Sequence, residues 1–227
     1  MVDKFNIKKI TFVIAVRKGS LRVKNKNIRT FANSNLLELK IKQIKRVFKN
    51  PNIFLSSDCK KSLHIGKKYN LELDLRPPKL ARNTTPMKEV YKYLATKVKT
   101  KFVCYLHVTS PLLKDSTLKK SLRLFSNNLK NYKCLATVNL VQEYLWYKTK
   151  AINYNPNNHP RSQDLKKYYS LNFSINIIDT LYMRNNGRIV ANKFFPLILD
   201  FPENIDVDDQ KQFDVAEVLF KNNFKND

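Results

Sequence analysis

The sequence predicts an α/β fold, a mainly parallel sheet flanked by helices, on three observations. Short β-rich apolar runs alternate with longer helical patterns, the signature of β-α-β units. The chain has 227 residues, 43% hydrophobic and 27% charged, which suits one domain spanning 1–227 with a core of its own. No apolar run approaches the roughly 20 residues needed to cross a bilayer.

The elements follow in order. Ile10 to Val16 is a buried first strand, and Arg17 and Lys18 follow it at once. The run is too short for a signal core and no small-residue cleavage site precedes the basic cluster, so a cytoplasmic protein without a membrane partner is expected. Asn35 to Phe48 places Leu36, Leu37, Ile41 and Ile44 at helical spacing. Ile53 to Leu55 is a second strand, and Ser57-Asp58 is expected to cap a helix running to Tyr69. Leu71 to Leu75 is a short extended piece that ends at Arg76-Pro77-Pro78. A helix from Met87 to Val98 leads to the strand Phe102 to Val108, and Thr109-Ser110-Pro111 breaks it before a helix near Ser116 to Phe125. Cys134 to Leu140 is a further strand. The pattern then loosens from 141 to 170, where Asn and Pro alternate with aromatic residues, and this reads as an inserted arm. Regular structure resumes at Leu171 to Ile178 and Phe195 to Leu199, and a helix from Asp208 to about Phe220 closes the fold.

Charge and cysteines narrow the function. The net charge of +25 suits a polyanionic partner. The lysines are scattered along the chain, however, and neither zinc-finger spacing nor an RNP-like motif occurs, so nucleic acid is not the expected partner. A charge this large still attracts a triphosphate. Cys59, Cys104 and Cys134 have no C-x-x-C spacing, which excludes a disulfide framework or zinc site and leaves buried, reduced thiols.

Two stretches could carry chemistry. In a doubly wound sheet ligands bind at the carboxyl ends of strands, so the loop Arg17 to Asn27 comes first. It sets Gly19 and Ser20 among cations, which suits a nest for phosphate oxygens or, alternatively, a solvated basic turn. It is neither G-x-G-x-x-G nor a Walker A sequence, which argues against a dinucleotide-binding Rossmann enzyme and a P-loop NTPase. The second stretch is acidic. Of only 18 Asp and Glu in the chain, seven crowd residues 200–217. If the segment is extended, Asp206 and Asp208 project from one face. Two hard oxygen ligands plus substrate phosphates is how Mg2+ is usually held. The alternative makes Asp208 or Asp209 the cap of the last helix.

The loop Arg17 to Arg29, Leu55-Ser56-Ser57-Asp58, Leu75 to Ala81, Thr109-Ser110-Pro111-Leu112, Arg161 to Leu165 and Ile205-Asp206-Val207-Asp208 stand in an order and spacing that resembles the CMP-sialic acid synthetases. The resemblance spans nearly the whole chain. It implies a Rossmann-like cytidylyltransferase with a small dimerisation arm, and a reaction in which the anomeric hydroxyl of a 2-keto sugar acid attacks the α-phosphate of CTP. By the same resemblance Arg17, Arg22 and Lys26 match cations that bind the triphosphate, with Gly19, Ser20 and Asn27 beside them. Arg76, Asn83 and Thr84 match nucleotide contacts, while His107, Thr109, Ser110, Arg161 and Gln163 match the sugar side. Asp206 and Asp208 match a Mg2+ pair, and the arm matches the region through which members form homodimers.

The chain departs from the pattern at Leu21, where lysine is usual, and at Asn83, where aspartate is usual. Ser170 and Phe173 stand where an R-x-N-G-A stretch has arginine and glycine. These departures imply an acceptor other than the standard sialic acid, or reduced activity. Two other readings compete with an active enzyme: a degenerate, non-catalytic nucleotide-binding paralogue, and a basic nucleic-acid binder that reuses the fold.

Overall fold

The computed structural model describes residues 6–20 and 22–223, so Leu21 lies outside the described residues. Among the described residues, strands β1 (Ile10–Ala15), β2 (Asn52–Ser57), β3 (Glu72–Leu75), β4 (Phe102–Leu106), β5 (Cys134–Val141), β6 (Trp146–Tyr147), β7 (Lys150–Ala151), β8 (Tyr168–Asp179) and β9 (Phe194–Ile198) are interspersed with six α-helices. These are α1 (Leu36–Val47), α2 (Lys60–Lys68), α3 (Met87–Lys97), α4 (Asp115–Asn128), α5 (Thr180–Asn186) and α6 (Gln210–Asn223).

Seven strands form one sheet in the order β3-β2-β1-β4-β8-β5-β9. β1 pairs parallel with β2 and β4, β2 with β3, and β5 with β9. β8 alone in this sheet runs antiparallel, against both β4 and β5. The central strands are buried on both faces, which is why β4 reads as an unbroken apolar run and β1 as one interrupted only by Thr11, whose hydroxyl bonds that of Thr100 at 2.9 Å. One face of the sheet packs Phe12, Ile14, Leu55 and Cys104 against Leu37, Ile41 and Ile44 of α1 and Leu118 of α4. The other packs Val13, Val103 and Tyr105 against Val90 and Leu94 of α3 and Met183 of α5.

Local chemistry explains the boundaries. Asn35 caps α1, its side chain accepting from the Glu38 amide at 2.9 Å. Asp179 caps α5 in the same way, and Gly187 ends that helix in the left-handed conformation at φ 63°.

Three expectations are corrected. Asp58 does not cap α2; its Oδ1 accepts from the Lys18 amide at 2.7 Å, tying the loop after β1 to the loop after β2. Ser57 Oγ accepts only from the Cys59 amide at 3.0 Å, ahead of a helix start that has no side-chain cap. Helix α5 was not expected, although Asp179 and Gly187 frame it by type. β8 begins at Tyr168, paired with Val141, so the sheet takes in the last residues of the expected 141–170 arm. Within that arm β6 and β7 form a separate two-stranded ribbon.

Candidate active site

The carboxyl ends of β1 and β4 and the segment before α6 enclose a cavity of about 540 Å³. Arg17, Ser20, Arg22, Lys26 and Asn27 line one side, and Tyr105, His107 and Thr109 another. Arg76, Met87 and Asp208 complete the wall. Open α/β sheets place their ligands at this end of the strands, where loops diverge and backbone donors are exposed.

The loop after β1 takes its shape from backbone chemistry. Gly19 sits at φ 78° with nothing near its Cβ direction, and Lys18 is anchored by Asp58. Arg17 donates to the Asn83 side chain, and Asn27 approaches the Arg17 carbonyl at 3.5 Å. Asn83 and Thr84 are exposed and outside the cavity lining, so Asn83 acts here by holding Arg17.

Arg76 is 5% exposed, with its fork spent on the strand ends: Nε donates to Ser56 Oγ at 3.1 Å, and Nη2 to the carbonyls of Ser56 at 2.7 Å and Val16 at 3.2 Å. A planar guanidinium satisfies these diverging acceptors in a way a lysine cannot. Arg76 thus ties together the ends of β1 and β2 beneath the cavity.

Opposite stands the acidic segment. The Val207 amide donates to the Thr109 carbonyl at 2.8 Å, which fixes Asp206 and Asp208 on either side of a buried Val207. Asp208 Oδ1 meets Arg22 Nη2 at 3.0 Å and Lys26 Nζ at 3.5 Å. Arg22 is 66% exposed and adds little stability through this pair, whereas the Lys26 side chain is only 12% exposed. The capping alternative is decided in favour of Asp209. Its Oδ1 accepts from the Gln212 amide at 2.8 Å, while Gln212 Oε1 accepts from the amides of Asp208 and Asp209. The Asp208 carboxylate is therefore left to face the cations.

Asp206 Oδ1 is buried without a hydrogen-bond partner. Burial raises the pKa of Asp206, a bond with the Thr109 side chain opposes that, and the charge of Asp208 raises it further. Among the described residues no group of three or more His, Cys, Asp or Glu comes together. The donor set is thus two carboxylates, one with an orphaned buried oxygen. That fits a hard divalent cation which takes its remaining ligands from water and phosphate.

His107 projects into the cavity beside Tyr105, ring centroids 5.4 Å apart. Burial and the nearby Lys26 charge hold its pKa down to about 4, so the imidazole is neutral at physiological pH. Ser110 is fully buried and shares a 2.8 Å hydrogen bond with Ser174, so it supports the loop and does not line the cavity. Arg161 and Gln163 are exposed and outside the lining, with Arg161 paired to Asp164 at 2.7 Å. Sequence reasoning missed Tyr105 and Met87. Tyr105 was findable, since it alternates with His107 along one strand face.

A larger cavity of about 590 Å³ lies on the far side of α1. Lys40, Lys42, Arg46 and Lys221 line it, the last three paired with Glu38, Asp115 and Glu217 and Lys40 bonded to Gln43 and the Ser110 carbonyl. None of the candidate site residues singled out in the sequence lines this cavity.

A mainly parallel sheet with a cationic loop after its first strand and the Asp208 carboxylate across the cavity, Asp206 lying behind the lining, defines an α/β nucleotidyltransferase. The chain belongs to the cytidylyltransferase family, whose model matches residues 11–195, and it is a CTP-dependent nucleotidyltransferase. It is 26% identical to post-translational flagellin modification protein B of Campylobacter coli, over 93% of this chain and 95% of that one. It is 24% identical to the pseudaminic acid cytidylyltransferase of Campylobacter jejuni, over 93% and 96% of the two chains. The CMP-N,N'-diacetyllegionaminic acid synthase of Legionella pneumophila is 25% identical, over 95% and 97%. A solved CMP:2-keto-3-deoxy-manno-octonic acid synthetase complexed with CTP shares the fold, with a TM-score of 0.67 and 11% identity over 94% of this chain and 98% of that one.

Proposed function

We propose that this protein joins CMP from CTP to a nonulosonic acid of the pseudaminic or legionaminic kind. The observation that carries the reading is the pairing across one cavity of Arg22 and Lys26 with Asp208, beside an Asp206 oxygen that has no partner. The relatives named for pseudaminic and diacetyllegionaminic acid support the acceptor class.

The acceptor's anomeric hydroxyl oxygen forms a bond to the α-phosphorus, the bond from that phosphorus to the α,β-bridging oxygen breaks, and pyrophosphate leaves as the hydroxyl proton is released. Little covalent chemistry falls to the protein, so positioning and charge neutralisation dominate. Arg17, Arg22 and Lys26, with the Gly19-Ser20 turn and Asn27, receive the triphosphate, and Arg76 holds the strand ends under the base. Asp206 and Asp208 would hold Mg2+, which would supply charge stabilisation to the transferring phosphoryl group. The phosphates of CTP would compete with Asp208 for Arg22 and Lys26, leaving that carboxylate free of its ion pairs. His107 and Thr109 face the sugar acid.

Arg161 and Gln163 lie on an arm whose Trp146, Tyr147, Ile152 and Tyr169 are all about half exposed or more. Exposed aromatic residues of this kind suit an interface, and the protein acts as a homodimer in which the arm reaches the second copy. Among the described residues no helix is long and apolar enough to cross a membrane. The enzyme works in the cytoplasm, where CTP is supplied.

Pyrophosphate release measured with CTP, Mg2+ and a panel of sugar acids tests the reading. Turnover is expected with CTP and a nonulosonic acid. Equal turnover of a purine triphosphate overturns the CTP reading, whereas no turnover with any sugar acid leaves the non-catalytic paralogue.

A further inference from the structure

Phe173 occupies a backbone state that its side chain disfavours. It lies inside β8 at φ 59°, in the left-handed region that favours glycine. Here β8 and β5 lose register: Ala136 faces Asn176, but Val138 faces Leu171, so β8 uses more residues than its partner. Such bulges re-aim side chains and concentrate beside active sites.

The surroundings hold the strained residue in place. Asn176 Nδ2 donates to the Phe173 carbonyl at 3.0 Å, and Asn172 Oδ1 accepts from the Ser174 amide at 3.2 Å. Asn172 Nδ2 is anchored in turn on Asn139 Oδ1 at 2.8 Å. A disfavoured conformation fixed by three asparagines is over-determined, the condition under which backbone strain persists at functional sites.

The ring shows what the strain achieves. Phe173 lies nearly parallel to His107, with centroids 5.9 Å apart and planes at 16°, and His107 meets Tyr105 edge-on. His107 and Tyr105 line the cavity, so Phe173 backs the imidazole from the neighbouring strand. Tyr105 and His107 present aromatic rings to the cavity that Arg17, Arg22 and Lys26 also line.

We infer that Phe173 is a specificity-determining, positioning residue that acts through its stack on His107. It keeps an apolar wall at the acceptor end and selects sugar acids that turn a deoxygenated or N-acyl edge toward β4 and β8. The inference rests on the cytidylyl-transfer reading and specifies what that site accepts.

The test compares Phe173→Gly and Phe173→Leu with the wild type, using two nonulosonic acids: a deoxy, N-acylated one and one with a fully hydroxylated side chain. Phe173→Gly relieves the left-handed backbone but removes a partly buried ring from its core packing, so Tm is expected to fall while calorimetric CTP affinity stays unchanged. The wild-type preference in kcat/KM for the deoxy acid is expected to fall about tenfold or more, mostly through acceptor KM. Phe173→Leu, which keeps bulk but not the flat ring, falls between. A preference within twofold of wild type in Phe173→Gly overturns the inference, as does a loss of CTP affinity that accounts for the change. Should the wild type turn over neither acid, the cytidylyl-transfer reading fails. Calorimetric binding of the two acids then decides on Phe173, and equal discrimination in wild type and Phe173→Gly sinks it.

Discussion

Lys26 and Lys24 sit two positions apart in one basic loop, yet their surroundings differ. Lys26 is half-buried and reaches the Val207 carbonyl and Asp208, whereas Lys24 is exposed. Lys26→Ala is therefore expected to lower kcat/KM with CTP by on the order of a hundredfold or more, the usual loss when a preorganised donor to developing phosphate charge is removed. Lys24→Ala should stay near wild type, and if the two variants behave alike, Lys26 is only part of a diffuse basic surface. Asp206 supplies a second contrast. Because burial raises its pKa, the charged carboxylate opposes folding, and stability is lost as pH rises through its folded pKa. Asp206→Asn should accordingly leave Tm unchanged or higher while Mg2+-dependent turnover collapses. Near-normal turnover in that variant would remove Asp206 from the site.

The start of α6 separates two neighbouring aspartates by role. Asp209 caps the helix through the Gln212 amide, while Asp208 faces Arg22 and Lys26. Asp209→Ala should cost about 1 kcal/mol of stability, the usual value of a cap, with kcat/KM little changed. Asp208→Asn should do the reverse, and thermal denaturation alongside steady-state kinetics reads both. Other acidic residues of this stretch are likewise committed to structure: Glu217 accepts from the Ala32 amide at 2.8 Å, and Glu203 accepts from the Lys114 amide at 3.0 Å. The crowding of carboxylates was legible in sequence. The cap at Asp209 has its partner three residues on, but the roles of Asp208, Glu203 and Glu217 were not legible, because they depend on partners distant in the sequence.

At the scale of the molecule, the most consequential buried charge is Lys40 of α1, only 2% exposed. Its Nζ donates to Gln43 Oε1 at 2.8 Å and to the Ser110 carbonyl at 3.1 Å, gripping the loop after β4. Burial pushes its pKa down to about 7 from 10.5, against opposing effects of Asp115 and Cys104. Between those values the unfolded chain keeps a proton that the folded protein has released, so stability rises with pH from about 7 upward. The window narrows from about pH 8.5, where the thiols of Cys104 and Cys134, raised by burial in the fold, begin to ionise in the unfolded chain. It closes near pH 10, where Tyr69 and Tyr93, both raised to about 12 in the fold, do the same. Tm measured from about pH 7 to about 8 should climb in the wild type. In Lys40→Met this contribution to the slope should vanish, and an identical slope in both would show that Lys40 does not titrate there.

The sequence by itself determined the alternation of strands and helices, because buried parallel strands must be continuous apolar runs and surface helices must carry an apolar stripe. It also located the basic loop after β1 and the acidic stretch before α6, since both are local in composition and sit at strand or helix ends. Tertiary structure alone decided which members of those stretches meet. Asp58 abandons the expected cap to hold Lys18, Ser110 turns from the cavity to Ser174, and Arg76 spends its fork on two strand ends. Phe173 is the sharpest case, a strand residue by type that takes a glycine's conformation within an irregularity of the β5–β8 pairing. The physical reason is common to all four. A polar or aromatic group satisfies itself with whatever the packed sheet brings within reach, and that neighbour lies across the fold, beyond the range of local periodicity and capping preference.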